Sequence, residues 1–152
     1  MNRMKGKGMS RKVATVLTFV IALSVFASGC GGSLYKPDVS AYKDGIYTGK
    51  SSEDDKGAYG EVTITIAGGK VTDCSFVTWK QDGIIKDENY GKVNGEITNR
   101  EYYEKAQLSV DAMEQYARRF AESGYLSEVD AVSGATISYD QFLEAAQDAL
   151  EQ

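Results

Sequence analysis

Residues 59–79 constrain the fold more than any other stretch. Val62, Ile64 and Ile66 fall on one side of an extended chain and Thr63 and Thr65 on the other. That is the period of two a half-buried strand requires. Ala67-Gly68-Gly69-Lys70 supplies a tight turn, and residues 70–79 return as a second β-rich run, so the pair predicts a hairpin. Asp44-Gly45 opens a short strand over 45–49, and a charged loop over 51–57 joins it to the hairpin. Residues 80–98 carry the loop formers Asp82, Gly83, Asn89, Gly91, Asn94 and Gly95, which predicts irregular chain.

The period then changes. Ala106, Val110, Met113, Ala117 and Phe120 recur at three- or four-residue steps and give one apolar face to a helix over 101–123. Thr98-Asn99-Arg100-Glu101 fits a capping box, and Gly124 is a natural stop. A second helix is expected from about Tyr139 to the end, with Phe142, Leu143, Ala146 and Leu150 inward. Strands first and helices later predict an α+β domain: a small antiparallel sheet carrying a long helix and a C-terminal helix.

The amino terminus reads as an address. Arg3, Lys5, Lys7, Arg11 and Lys12 precede an apolar run over 13–27 that is shorter than the roughly 20 residues a spanning helix needs. Small residues, Ala27-Ser28-Gly29-Cys30, close it. A basic start, a short apolar core and a small-residue exit make a secretory signal. The expected organisation is a signal peptide over 1–29, a polar tether over 30–42 and one domain over 43–152, held outside the cytoplasm. An uncleaved signal anchor is the alternative.

Charge and composition narrow the chemistry. All 22 acidic residues follow Cys30, against 12 of the 17 basic ones, a net charge of −10. Nucleic-acid binding needs clustered Lys and Arg, so no nucleic-acid partner is expected. Histidine is absent, which removes Ser-His-Asp hydrolysis, Cys-His proteolysis and His-ligated metals. No catalytic residue and no metal ligand is assigned, and any chemistry is expected to come from an added group. Cys74, in the strand-like Val71-Thr72-Asp73-Cys74-Ser75-Phe76-Val77, is expected to be a small buried hydrophobe.

The segment Asp130-Ala131-Val132-Ser133-Gly134-Ala135-Thr136-Ile137-Ser138 lies between the two helices. It is a small-residue turn that delivers a hydroxyl to a helix start, where free amides and the helix dipole attract anions. The plain alternative is a cap: Thr136 or Ser138 at the N-cap, with Ser138-Tyr139-Asp140-Gln141 as a capping box.

Asp130, Ser133, Gly134, Ala135 and Thr136 match, position for position, the attachment motif of the FMN-binding domains that are flavinylated on threonine. The chain resembles that family over about 44–150, with Asp44-Gly45-Ile46-Tyr47-Thr48-Gly49 similar to its opening and the hairpin similar to its centre. Asp87-Glu88-Asn89-Tyr90 resembles Gram-positive lipoproteins that serve extracellular electron transfer. Residues 80–92 lack the Glu-Thr-Pro-Gly segment usual in subunits of sodium-pumping complexes, which sets the chain apart from those. The exit at Cys30 resembles a bacterial lipobox, with Ala27 where a large aliphatic is usual.

The resemblance implies a covalent FMN on Thr136, installed by an exported, magnesium-dependent flavin transferase that consumes FAD. It also implies a lipid anchor on Cys30 and a carrier function: electrons arrive from a membrane quinol or flavin dehydrogenase and leave to an external acceptor. Tyr47, Tyr59, Trp79 and Tyr90 are the aromatic candidates for stacking on the ring. Lys80, Lys86 and Lys92 are candidates for a cation that favours the reduced form. Three rivals stand beside this reading: a catalytic reductase, a lipoprotein binding flavin or another ligand non-covalently, and a structural surface lipoprotein.

Overall fold

The computed structural model describes residues 39–152. The signal peptide and Cys30 lie outside the described residues. Three strands, β1 (Gly45–Lys50), β2 (Tyr59–Ala67) and β3 (Lys70–Trp79), form an antiparallel sheet in the order β1-β2-β3. Two helices follow, α1 (Arg100–Ser123) and α2 (Thr136–Leu150). The expected α+β architecture is the observed one. Among the described residues no helix is long and apolar enough to cross a membrane.

The hairpin forms for the reason its pattern implies. Gly68 and Gly69 have φ of 60° and 71°, the doubly left-handed turn that matches the twist of the flanking strands. Val62, Ile64 and Ile66 are at most 1% exposed, while Thr63 and Thr65 are half-buried on the opposite face. Both helices cover the apolar face, α1 against β3 and α2 against β1 and β2. The side chains that close the core are aromatic. Phe142 of α2 meets Phe76, Tyr116 and Phe120 with ring centroids 5.2, 5.9 and 6.2 Å away. Burying each ring contributes about 1.5–3 kcal/mol.

The helix ends differ from the sequence expectation. Asn99, not Thr98, caps α1, accepting from the Tyr102 amide at 3.0 Å. Asn is as good a cap as any residue, and once it takes that role Glu101 pairs with Lys105 at 2.7 Å instead of closing a box. Gly124, with φ of 73°, ends the helix as expected and donates to the Phe120 carbonyl. The packed unit also reaches into the stretch read as tether: Val39, in a short 3-10 turn over Val39–Ala41, is 7% exposed and belongs to the core.

Cys74 is half-buried on β3, and burial, with Asp73 adding to it, pushes its thiol up to about 12. The thiolate is the reactive form. Alkylation of the folded protein by iodoacetamide at pH 8 is therefore expected to be much slower than that of the urea-unfolded protein. Equal rates would show Cys74 to be a reactive surface thiol.

Candidate functional site

The turn between the helices is gripped from below by a buried tyrosine. Tyr116 of α1 is fully buried, and its hydroxyl accepts from the Val132 amide at 3.0 Å and donates to the Ala135 carbonyl at 3.3 Å. The Ala135 amide closes the loop onto the Val132 carbonyl at 3.0 Å, and Arg119 Nη1 donates to the Asp130 carbonyl at 3.0 Å. Gly134 sits at φ of 86°, a conformation few other residues adopt, and a Cβ there would lie 2.9 Å from Leu108. Ala135 is 2% exposed.

This grip starts α2 at Thr136, three residues earlier than expected. Ala135 occupies the N-cap and no side chain caps the helix. Neither Thr136 nor Ser138 is a cap, and the expected Ser138–Gln141 box does not form, because both residues lie inside the helix; the Gln141 Nε2 donates instead to the Ala58 carbonyl at 2.8 Å. The Thr136 hydroxyl is exposed and makes no hydrogen bond among the described residues. The first-turn amides have no intrahelical acceptor and no acidic side chain beside them, which makes them a ready seat for an anion.

Two adjoining pockets open here. The smaller, about 290 Å³, is formed by residues 134–138 and Ser109. The larger, about 630 Å³, shares Ser109, Ile137 and Ser138 with it. Its far wall comes from the β1–β2 loop at Asp54, Asp55, Lys56 and Ala58, and from the loop after β3 at Lys80, Gln81, Asp82 and Lys86. Tyr90 and Tyr102 complete it. Ser138 is 5% exposed, lines both pockets, and has no hydrogen-bond partner among the described residues. An uncommitted hydroxyl in such a place is available to a ligand.

The four aromatic candidates divide. Tyr90 lines the pocket, held there because Gln107 Nε2 donates to the Asp87 and Tyr90 carbonyls at 3.2 and 2.9 Å. Burial, and then the neighbouring Tyr102 hydroxyl, push the Tyr90 phenol up to about 12, so it is a neutral donor at physiological pH. Tyr47 instead packs edge-on against Tyr42 and donates to the Lys43 carbonyl at 2.8 Å. Tyr59 and Trp79 face each other across β2 and β3, and neither lines the pocket. The Trp79 indole N–H is buried and has no partner among the described residues.

The three lysines divide as well. Lys80 is neutralised by Asp82 at 2.8 Å, and Lys92 reaches Asn89 Oδ1 at 3.1 Å. Lys86 stays at the pocket, its Nζ 5.4 Å from the centre of the Tyr90 ring. Sequence reasoning missed Tyr102, whose exposed position early in α1 gives no signal, and Tyr116. The latter was legible, since it continues the apolar face of Met113, Ala117 and Phe120.

The model of the FMN-binding domain family matches residues 56–151, the span from the β1–β2 loop through α2. The chain belongs to the FMN-binding domain family. It is a flavin-binding protein and its cofactor is FMN. No curated protein matches the chain. The crystal structure of the CPE2226 protein from Clostridium perfringens is similar, at 23% identity with a TM-score of 0.56, covering 72% of this chain and 86% of that one. That likeness supports the fold.

The candidate site has the shape and donors that FMN requires. The smaller pocket offers open amides to a phosphate, and the larger offers two tyrosines and an uncommitted serine to a ring system. Tyr116 is the positioning residue of the turn. Tyr116→Phe removes the hydroxyl that serves Val132 and Ala135, at an expected cost of about 1–3 kcal/mol for the polar groups left unpaired. The measurement is the denaturant midpoint at unchanged m-value. A midpoint equal to the parent's would show that the turn does not depend on that hydroxyl.

Proposed function

We propose that the protein is an extracytoplasmic electron carrier, anchored through a lipid on Cys30, with FMN esterified through its phosphate to Thr136. The observation that carries this reading is the state of Thr136. It stands in the motif Asp130, Ser133, Gly134, Ala135, Thr136, at the first position of an uncapped helix, exposed and with its hydroxyl bound to nothing among the described residues. A threonine serving as a cap would have its hydroxyl committed.

Attachment is a phosphoryl transfer. With FAD as co-substrate of a flavin transferase, the Thr136 hydroxyl oxygen bonds to the FMN phosphorus, the pyrophosphate bond breaks, AMP leaves and the hydroxyl proton is released. The resulting diester keeps one negative charge, and the start of α2 stabilises it by about 0.3–1 kcal/mol. Bound FMN supplies the electron-accepting and electron-donating ring. The chain's part is to hold it: Tyr90 and Tyr102 offer faces for stacking, and Ser138 offers a donor between ring and phosphate. Covalent attachment suits a carrier outside the cell, where a released cofactor is lost. A lipid anchor would keep the carrier beside a membrane quinol or flavin dehydrogenase that acts as donor.

The test is the mass of the denatured protein, and of its Thr136 peptide, after co-expression of the full chain with an exported flavin transferase. A gain of one FMN less one water supports the reading. An unmodified mass beside a transferase that modifies its own known substrate overturns it in favour of non-covalent flavin binding. Steady turnover of a small substrate by the loaded protein would instead favour a reductase.

A further inference from the structure

The larger pocket contains a cation that, among the described residues, has no direct ion-pair partner. Lys86 is half-buried, yet among the described residues its ammonium makes no hydrogen bond and no ion pair. It lies over the Tyr90 ring, 5.4 Å from its centre. The other lysines lining the pocket are accounted for: Lys80 is paired with Asp82, and Lys56 is exposed to water. Asp54 acts on it through space without forming an ion pair, its Oδ1 accepting from the amides of Lys56 and Ala58 at 2.8 and 2.9 Å. Burial holds the Lys86 ammonium below the usual lysine range, with Asp54 opposing and Lys56 adding to the effect.

A partly desolvated cation with no carboxylate in direct contact costs folding energy that an anionic occupant of the pocket would recover. Its place identifies which end of the cofactor that is. The phosphate seat is the smaller pocket at residues 134–138, and Lys86 does not line it. Lys86 lines the larger pocket with Tyr90 and Tyr102, where the ring would lie.

We propose that Lys86 is the counter-charge for the reduced flavin ring, favouring its singly protonated anion. Reduction then takes up two electrons and one proton, where a ring without that cation takes up two electrons and two protons. The charged and titratable groups around Lys86 are Asp54, Asp55 and Lys56 from the β1–β2 loop, Lys80 and Asp82 from the loop after β3, Tyr90 beside it and Tyr102 from α1. From α2 only the uncharged Ile137 and Ser138 line this pocket. Tyr90, pushed up to about 12, stays neutral across the range that matters. The proposal rests on the reading that FMN occupies this site.

The experiment is a reductive titration with dithionite, over a series of pH values, of the flavin-loaded full-length protein in detergent. The potential falls by about 59 mV per pH unit while two protons accompany two electrons, and by about 30 mV once one does. Lys86→Met is expected to move the break between these slopes upward by at least about one pH unit, a tenfold loss of acidity. At a pH above both breaks it makes the reduced form at least tenfold less favoured, about 30 mV. Lys86→Arg keeps the parent's break, and Lys92→Met changes nothing.

In the unloaded protein, Lys86→Met is expected to leave Tm equal or raise it, since no ion pair is lost. Coincident breaks in the parent and Lys86→Met would overturn the proposal, as would a fall in the unloaded Tm, the mark of a structural cation. Intact mass separates the two readings. If no flavin is attached, the ratio of dissociation constants for free oxidised and free reduced FMN is compared between the parent and Lys86→Met. A ratio the variant leaves unchanged overturns the assignment to Lys86, and failure to bind either form overturns both readings.

Discussion

Gly49→Ala is expected to unfold the domain. A Cβ at Gly49 would stand 2.2 Å from both the Ala145 carbonyl oxygen and the Ala149 nitrogen, backbone atoms of α2 that cannot rotate away. Gly49 is where β1 and α2 touch, and that contact is also tied by the Lys50 amide donating to Asp148 Oδ2 at 2.9 Å and by Ser52 donating to Glu144 Oε2 at 2.8 Å. Relief requires lifting α2 off the sheet, which opens the Phe142 cluster. Overpacking of a flexible site costs about 1–3 kcal/mol, and a backbone collision stands at or beyond the top of that range. Against a total stability of about 5–15 kcal/mol, the variant is expected to lose cooperative unfolding or fall out of solution. Gly45→Ala is the control on the same strand, because its Cβ would meet the Tyr47 ring at 3.6 Å and the Lys43 carbonyl oxygen at 4.0 Å, both ordinary van der Waals distances. A Gly49→Ala protein with the parent's Tm would show that the helix and sheet are not packed as described.

Thr136→Ala is expected to abolish flavin attachment completely while leaving the fold in place. The lost hydroxyl has no partner, the position is exposed, and alanine is the better helix former. Its effect on stability is expected to lie within about 0.5 kcal/mol. Ser138→Ala is the discriminating companion, since Ser138 is buried and two residues further along the same turn. It is expected to keep the mass gain while loosening the hold on the ring, read as higher flavin fluorescence. Loss of attachment in both variants would point to a damaged turn, whereas retention in Thr136→Ala would place the linkage elsewhere.

The two substitutions mark different levels of information. The motif behind the proposed attachment is five letters of sequence, and the structure gives Gly134 a left-handed φ and Thr136 the first position of its helix. The state of the Thr136 hydroxyl could not be read from those letters. Local pattern put the start of the second helix at about Tyr139 and offered Ser138 as its cap. The Tyr116 hydroxyl, twenty residues upstream of Thr136, holds Val132 and Ala135 and so begins the helix at Thr136. Contacts across that separation leave no trace in local periodicity.

The pocket-lining residues follow the same division. Tyr47, Tyr59, Trp79 and Tyr90 were equivalent as aromatics near loops, and only Tyr90 lines the pocket, because the Gln107 amide clips its loop to α1. Lys80, Lys86 and Lys92 were equivalent as cations in one irregular segment. Their difference lies in which found a partner, which depends on how the loop folds back.

What the sequence by itself determined is therefore the set of elements. Val62, Ile64 and Ile66, the Gly68-Gly69 turn and the helical run from Ala106 to Phe120 each express a local period or a local dihedral demand, and such demands are satisfied within a few neighbouring residues. Tertiary structure alone decided that Thr136 would be an uncommitted first residue of its helix and that Lys86 would face the pocket unpaired. Hydrogen-bond partners and counter-charges are supplied by whichever distant segments pack nearby, and that assignment exists only once the chain has folded.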